Sequence, residues 1–402
     1  MTEPETFRAE LAEFLDRELP HQLAELPPIT AEYSGGRRPE LPHPNSKRYC
    51  ELMAERGLTA PTWPIEYGGG GLDKERAKIV VAELRRRRLP APLRGFGLTM
   101  IGPTLLQFGT DEQKREHLPR IVRGEIRWAQ GYSEPNAGSD LASLAASARI
   151  VGDEIVLDGQ KIWTSYADKA DWMFGIFRTD TGGKKQEGIT FLLLDMAQPG
   201  VEVRPIKLIS GASPFCEVFF TEARARTRDI IHGVGNGWTV AKALLGHERT
   251  MIADVFGPSG RGRDVTAGNP LVELARDYVG ERERGGRIAD PVVRDRVTQV
   301  TMDERCFALT MQRNADAARA GHKPGPESAI FKIYGSELNQ RRQELMLALR
   351  GPQCLGWDGA GFDAPELAQT REWLFSRGIT IAGGTSEIQL NIIAKHVLAL
   401  PD

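Results

Sequence analysis

The sequence predicts an α+β multidomain chain in three successive parts: a helical segment over 1–126, a middle antiparallel β domain over 127–237, and a helical bundle over 238–402. Three observations predict it. At the N-terminal end Phe7, Leu11, Phe14 and Leu15 fall on one face at helical spacing. From about residue 127, short apolar runs separated by Gly, Asp and Pro take over, at Trp172–Phe177, Ile189–Leu194, Val201–Val203 and Val218–Phe220. Such runs suit an antiparallel sheet or small barrel rather than alternating βα units. After Gly237 long amphipathic stretches joined by short breaks return, which implies an up-and-down bundle.

At 402 residues the chain can bury more than one core. Apolar residues make up 41% and charged residues 26%, the proportions of a soluble globular protein. A formal net charge of −2 argues against nucleic acid or an anionic membrane as partner. Cys50, Cys216, Cys306 and Cys354 are scattered, with no CxxC pair and no His cluster at metal spacing. The expectation is therefore reduced thiols, a cytoplasmic location and no metal. The opening MTEPETF lacks the basic and apolar regions of a signal peptide, and no apolar run approaches the length of a membrane span.

Each element has its own local signals. Pro27-Pro28, Gly35-Gly36 and the Pro39–Pro44 stretch mark a long loop, and a second helix is predicted from Ser46 to Arg56. Gly68–Gly71 follow Pro61-Thr62-Trp63-Pro64; with no strand before them and no Lys-Ser after, they read as a turn, not a phosphate cradle. Arg85–Arg88 read as the solvated end of a helix. Thr110 and Gln113 form a capping box for the helix carrying Leu118, Ile121 and Val122. Gly152-Asp153 is a tight turn between strands at Arg149–Val151 and Glu154–Leu157. No GxGxxG leads from a strand into a helix in the middle part, which argues against a nicotinamide-type Rossmann domain. Further helices are predicted from Trp238 to Phe256 and from Pro270 to Arg282, and from the Asp290-Pro291 start to about Ala320. Lys323–Pro326 break the pattern; Ile330, Tyr334, Leu338, Leu345 and Leu349 line the next helix, which stops at Gly351. Ser386 with Gln389 is spaced as a capping box for the last, with Ile388, Ile392 and Ile393 on one face.

The chemistry concentrates between Trp128 and Ser165. Asn136-Ala137-Gly138-Ser139 offers backbone N–H groups and a hydroxyl with little bulk, so a phosphate-bearing ligand can approach closely. Trp163 adds a flat face beside the Thr164 and Ser165 hydroxyls. Taken alone, these residues fit an ordinary loop and hairpin with a core tryptophan equally well. Together, YSEPNAGSDL (132–141) followed by GQKIWTS (159–165) resembles the flavin-binding middle domain of the acyl-CoA dehydrogenases. GTDEQKREHLPRIVRGE also resembles a stretch of that family, whose domain order is likewise helix–β–helix; the resemblance covers nearly the whole chain.

That resemblance implies a β-barrel wall against which FAD lies, with a four-helix-bundle domain following. Residue by residue, it puts Ser133 and the backbone at Tyr132 on the pyrimidine edge, where donors stabilise negative charge on a reduced flavin. Gly138 and Ser139 fall near pyrophosphate, Trp163 against the ring, Thr164 beside it, and the Ser165 hydroxyl near N5. Thr385 and Glu387, at the start of the last helix, match family positions near FAD. Ser139 and Arg249 match positions near substrate.

Dehydrogenating a thioester needs a carboxylate in a dry pocket to take the α-proton. Many family members place it in a C-terminal Glu-Gly-Thr; here that segment reads Ala382-Gly383-Gly384-Thr385, and Gly383 cannot accept a proton. The other family position is a Glu-Arg pair on the first helix after the β domain, matched by Glu248-Arg249. The resemblance therefore implies Glu248 as base, against the plain reading of a helix glutamate exposed or bonded to Arg249 or His247.

Two departures touch the part of the site that one family subunit lends another. Arg-x-Gln-Phe-Gly is Arg282-Glu283-Arg284-Gly285-Gly286, and the Gln before the Gly-Gly pair near Gly351 is Ala348. Arg282 and Arg284 retain guanidinium forks suited to pyrophosphate. The implied assembly is a homotetramer or an α2β2 heterotetramer with a sister subunit, and both stay open. The Gly257–Asn269 loop reads as a solvated linker, or as a contact to a partner or to CoA phosphates. The implied activity is dehydrogenation of a branched, bulky or steroid side-chain acyl-CoA, in β-oxidation or steroid degradation, with an electron-transfer flavoprotein as acceptor. A non-catalytic partner subunit and an acyl-CoA oxidase are the alternatives.

Overall fold

The structure is a computed structural model that describes residues 3–245, 269–282, 286–321, 325–326 and 328–401. Its described residues pack as two compact units. One runs to Ile206 and resumes at Pro214 through the helix at 237–245; the other comprises Lys207–Ser213 and the residues from Asn269 onward.

The first unit opens with helix α1 (Glu3–Glu13), a π turn at Phe14–Glu18 and the short α2 (Leu19–Gln22). Helices α3 (Ser46–Glu55), α4 (Lys74–Arg86), α5 (Gly102–Phe108) and α6 (Asp111–Val122) follow. Leu11, Phe14 and Leu15 of the predicted stripe are buried, with Leu19, in a core shared with Tyr49, Met53, Val80 and Leu84, and Phe7 packs partly buried against it. The Gly68–Gly71 turn uses up its own donors: the amides of these four residues bond to the carbonyls of Ile65, Pro64, Ala60 and Trp63. A side chain at Gly69 would meet Trp63 O at 2.3 Å, so backbone packs directly on backbone and no amide is left for a phosphate. The arginine run differs from its solvated reading at one position. Arg85 and Arg86 are exposed, but the Arg87 side chain is buried against Glu83 and Asp16. A buried carboxylate on α4 needs that counter-charge.

The β domain is one eight-stranded sheet. Its strands are β1 (Trp128–Gly131), β2 (Ser147–Val151), β3 (Glu154–Ser165), β4 (Trp172–Arg178), β5 (Ile189–Asp195), β6 (Val201–Ile206), β7 (Phe215–Arg226) and β8 (Ile230–Ile231). The hydrogen-bonded order is β6-β7-β3-β2-β4-β5-β8, with β1 pairing β4. Pairing is antiparallel except for β1 along β4 and one contact of β2 with β4. The Gly152-Asp153 turn sets the β2–β3 register at Val151↔Glu154. Alternation along β4 sends Met173 and Phe177 into a core with Ile155, Leu157, Leu192, Leu194 and Val218. Trp172 points the other way, toward His117 of α6, whose ring meets Trp128 and Trp172 edge-on at 5.3 and 4.9 Å. The capping box at Thr110 forms as expected, and Gln113 Nε2 also donates to the carbonyls of Arg228 and Ile230, pinning α6 to the far end of the sheet.

His117 is fully buried, and neither ring nitrogen has a hydrogen-bond partner among the described residues. Burial, with Arg120 and Arg228 nearby, lowers its pKa to about 4. A folded value below the unfolded one means that stability is intact above the ordinary pKa of 6.5 and falls as pH drops toward 4. The expected loss is about 3 kcal/mol at most. Urea unfolding at pH 7 and pH 4.5 checks it: His117→Leu should flatten the pH dependence, and an equally steep loss in that variant would refute the assignment.

Helix α7 (237–245) closes this unit, burying Val240, Ala241 and Leu244. In the second unit, α8 (Pro270–Val279) precedes the paired bridges β9 (Glu281–Arg282) and β10 (Arg287–Ile288). Then come α9 (Pro291–Arg319), α10 (Ser328–Arg350), α11 (Ala364–Ile379) and α12 (Ser386–Ile392), with α10 central and packed by α8, α9, α11 and α12. Asp290 caps α9 through the amides of Val292 and Val293. The cap of α12 sits one residue earlier than predicted: Thr385 is the N-cap and its hydroxyl accepts from Ile388 N–H at 3.3 Å. All four cysteines are free thiols. Among the described residues no helix is long and apolar enough to cross a membrane, and no His, Cys, Asp and Glu group could hold a metal ion.

Candidate active site

The 132–141 loop and the end of β3, separate in sequence, meet in the first unit. Lys161 joins them. Counting inward positions along β3 from Ile155 and Leu157 by twos reaches Lys161, so its side chain enters the protein and is 0% exposed. There Nζ donates to Glu134 Oε1 at 2.8 Å, to Ile176 O at 2.7 Å and to Tyr132 O at 3.3 Å. Its ammonium also lies 4.9 Å from the centre of the Phe177 ring. Glu134 in turn accepts from the amides of Ala145 and Ala146 at 2.6 and 2.9 Å. Burial pulls the Lys161 pKa down to about 8 while the adjacent carboxylate opposes the shift, so the ammonium stays mostly charged at neutral pH. Ile162 N–H adds a bond to Ser133 O at 2.8 Å.

Just beyond this clamp β3 breaks its alternation. Lys161 pairs with Val218 but Thr164 pairs with Cys216, so β3 carries one extra residue. The bulge turns Trp163 outward. Its φ is +58°, a region that costs a bulky side chain about 1–2 kcal/mol, and 54% of its surface is exposed, with the Phe215 ring meeting it edge-on. Thr164 turns inward instead, fully buried, its hydroxyl without a partner among the described residues. Ser165 is half-buried opposite Phe215. Tyr166 repeats the left-handed backbone at φ +52° and holds its exposed ring 5.1 Å from the Arg127 guanidinium.

Tyr132 is buried, its ring edge-on to Phe174 and Phe191 and its carbonyl accepting from Lys161. Ser133 is half-buried, whereas Gly138 and Ser139 are exposed, and no atom lies within 4 Å of where a side chain at Gly138 would begin. The chemistry on offer suits a planar, phosphate-bearing ligand: an exposed indole at Trp163 and an open, bulk-free loop at Gly138.

The remaining predicted residues lie elsewhere. Thr385 and Glu387 open α12 in the second unit; the Glu387 carboxyl is held below its usual range by its own amide, the Thr385 hydroxyl and Lys332. The Arg282 backbone pairs with Arg287 across β9 and β10. Glu248, Arg249 and Arg284 lie outside the described residues, as does the Gly257–Asn269 loop apart from Asn269, whose side chain caps α8. Gly383 has φ +66°, so a glutamate there would occupy the left-handed region at a cost of about 1–2 kcal/mol. The Lys161–Glu134 clamp and the Trp163 bulge were not singled out from sequence. A lysine on an inward strand position was the available signal for the first, and nothing local marked the second.

The order of helical, β and helical parts, with these residues in the middle one, has clear relatives. Family profiles match throughout: acyl-CoA dehydrogenase N-terminal domain at residues 1–125, middle domain at 129–223 and C-terminal domain at 235–398. The chain belongs to the acyl-CoA dehydrogenase family of oxidoreductases. It is 35% identical to acyl-CoA dehydrogenase IpdE1 of Mycolicibacterium smegmatis and 36% identical to that of Mycobacterium tuberculosis, each time over 100% of this chain and 99% of the relative. Among solved structures it is similar to the Tcur3481-Tcur3483 steroid ACAD, with a TM-score of 0.74 at 26% identity. It is also similar to the ChsE4-ChsE5 complex from Mycobacterium tuberculosis, with 0.72 at 25%. Both alignments cover 100% of this chain and 98% of the other.

Proposed function

We propose that this chain is an FAD-dependent dehydrogenase that introduces an α,β double bond into an acyl-CoA thioester with a bulky acyl group, a steroid side chain foremost. The observation that carries the reading is the buried Lys161–Glu134 clamp, which ties the 132–141 loop to β3, with Gly138, Ser139 and Trp163 exposed and Ser133 half-buried on the two segments it joins. The structural neighbour described as a steroid ACAD supports the substrate class.

In this reading the Tyr132 backbone and Ser133 hold the pyrimidine edge of the flavin, and Gly138 and Ser139 receive its pyrophosphate. Trp163 would lie on the ring with the half-buried Ser165 hydroxyl at its reactive edge, while Thr164, expected beside the ring, is turned inward and fully buried by the bulge, so its side chain is not part of that face. Thr385, Glu387, Arg282 and Arg284 contribute from the C-terminal half, within the subunit or from a neighbour. FAD, when bound, supplies the acceptor for the β-hydride and its electron pair. Glu248 takes the α-proton as that hydride leaves, while Ser139 and Arg249 orient the thioester. An electron-transfer flavoprotein then reoxidises the enzyme in the cytoplasm.

A second reading, a half-site subunit of an α2β2 assembly, is favoured by Arg284-Gly285 standing where an aromatic packing face is lost. Two structural neighbours, the Tcur3481-Tcur3483 steroid ACAD and the ChsE4-ChsE5 complex, each pair two proteins, which also favours it. One experiment separates the two: purify the chain alone and co-expressed with a sister subunit, and record visible spectra with and without acyl-CoA thioesters. A yellow chain that bleaches with thioester supports the enzyme. A colourless chain that becomes active only in company supports the half-site. A complex that never holds flavin overturns both.

A further inference from the structure

The second unit contains a buried cation that the site described above does not use. Lys332, on the first turns of α10, is 6% exposed, and no carboxylate comes within 4 Å of its ammonium among the described residues. Its bond is to a carbonyl instead: Nζ donates to Thr380 O at 2.7 Å. Thr380 is the C-cap of α11, where the last carbonyls of a helix lack intrahelical donors and the helix dipole favours positive charge. Burial lowers the lysine pKa, while Glu387 and Glu337 act at longer range to raise it.

The same helix end is held twice more. Gln340, two turns along α10, donates through Nε2 to Ser376 O at 3.2 Å and to Thr380 Oγ1 at 3.4 Å. From the far side, Gln389 of α12 donates to Gly383 O at 3.3 Å. Between these anchors the chain turns sharply through Gly383 and Gly384, with φ of +66° and +95°, and delivers Thr385 as the cap of α12. Two glycines make this turn intrinsically permissive, so its geometry must come from its tethers.

We propose that Lys332 is a positioning residue for flavin: by holding the C-terminal carbonyl of α11, it sets the Gly383-Gly384 turn that presents Thr385 and Glu387. The inference rests on the FAD reading above. It assigns Lys332 no contact with flavin or substrate.

The test uses full-length protein, with any sister subunit it requires, stripped of flavin and titrated with FAD while flavin fluorescence and the visible band shape are recorded. Lys332→Met should weaken FAD binding tenfold or more and broaden the flavin band at unchanged far-UV circular dichroism. Lys332→Arg, which keeps a cation able to reach the carbonyl, should recover part of that loss. A Lys332→Met protein that binds FAD with wild-type affinity and band shape overturns the inference. So does a loss of affinity that only tracks the unfolded fraction. If Lys332→Met does not fold, Gln340→Leu cuts a tether to the same turn: a weakened FAD affinity supports the inference and an unchanged one overturns it. A wild-type chain that takes up no FAD sinks the underlying reading, an outcome distinct from any variant result.

Discussion

Glu248→Gln, purified with its flavin, is expected to turn over acyl-CoA about 10²–10⁴-fold more slowly than wild type while keeping the same visible spectrum. Glutamine preserves the size of the side chain and removes the function proposed for it, acceptance of a proton from a weak carbon acid. The C-terminal segment that carries the base in many relatives ends here in Gly383-Gly384-Thr385, and the backbone at Gly383 is left-handed. That turn is built around glycine, so a carboxylate there would be strained as well as missing. A purified, flavin-loaded Glu248→Gln protein that keeps more than a tenth of wild-type activity refutes the assignment. Loss of flavin alongside activity would show that the residue serves the fold instead.

Lys161→Met should cost about 3–5 kcal/mol of stability, because it removes the cationic partner of the buried Glu134 and leaves it the Ala145 and Ala146 amides. Glu134→Gln strands the ammonium in the same way. Changing both, as Lys161→Met with Glu134→Leu, should recover much of the loss, since an apolar pair of similar volume carries no desolvation penalty. Denaturant titration of the three variants reads the effect, and flavin retention reads its consequence for the site. If Lys161→Met lies within about 1 kcal/mol of wild type, the clamp is not what holds the two motifs together.

The helices and strands were largely legible because the period of their apolar residues matched the local geometry. The Thr110 capping box, the Asp290 cap and the Gly152-Asp153 turn each depend on neighbours within four residues, and each formed as expected. The misses are long-range. Arg87 reads as one of four solvated arginines until Glu83 and the distant Asp16 close around it. The last helix has two hydroxyls side by side, Thr385 and Ser386, and only the backbone of the Gly383-Gly384 turn decides which of them caps.

The site divides along the same line. The motifs 132–141 and 159–165, and the glycine where a glutamate is common, are properties of the linear chain, and they sufficed to place it among acyl-CoA dehydrogenases. Tertiary structure alone decided that Lys161 enters the β domain to meet Glu134, 27 residues away, and that one extra residue in β3 turns Trp163 outward and Thr164 inward. Periodicity and capping are short-range and therefore written locally. A buried charge pair or a strand bulge is defined by the partner across it, which becomes a neighbour only when the sheet has formed.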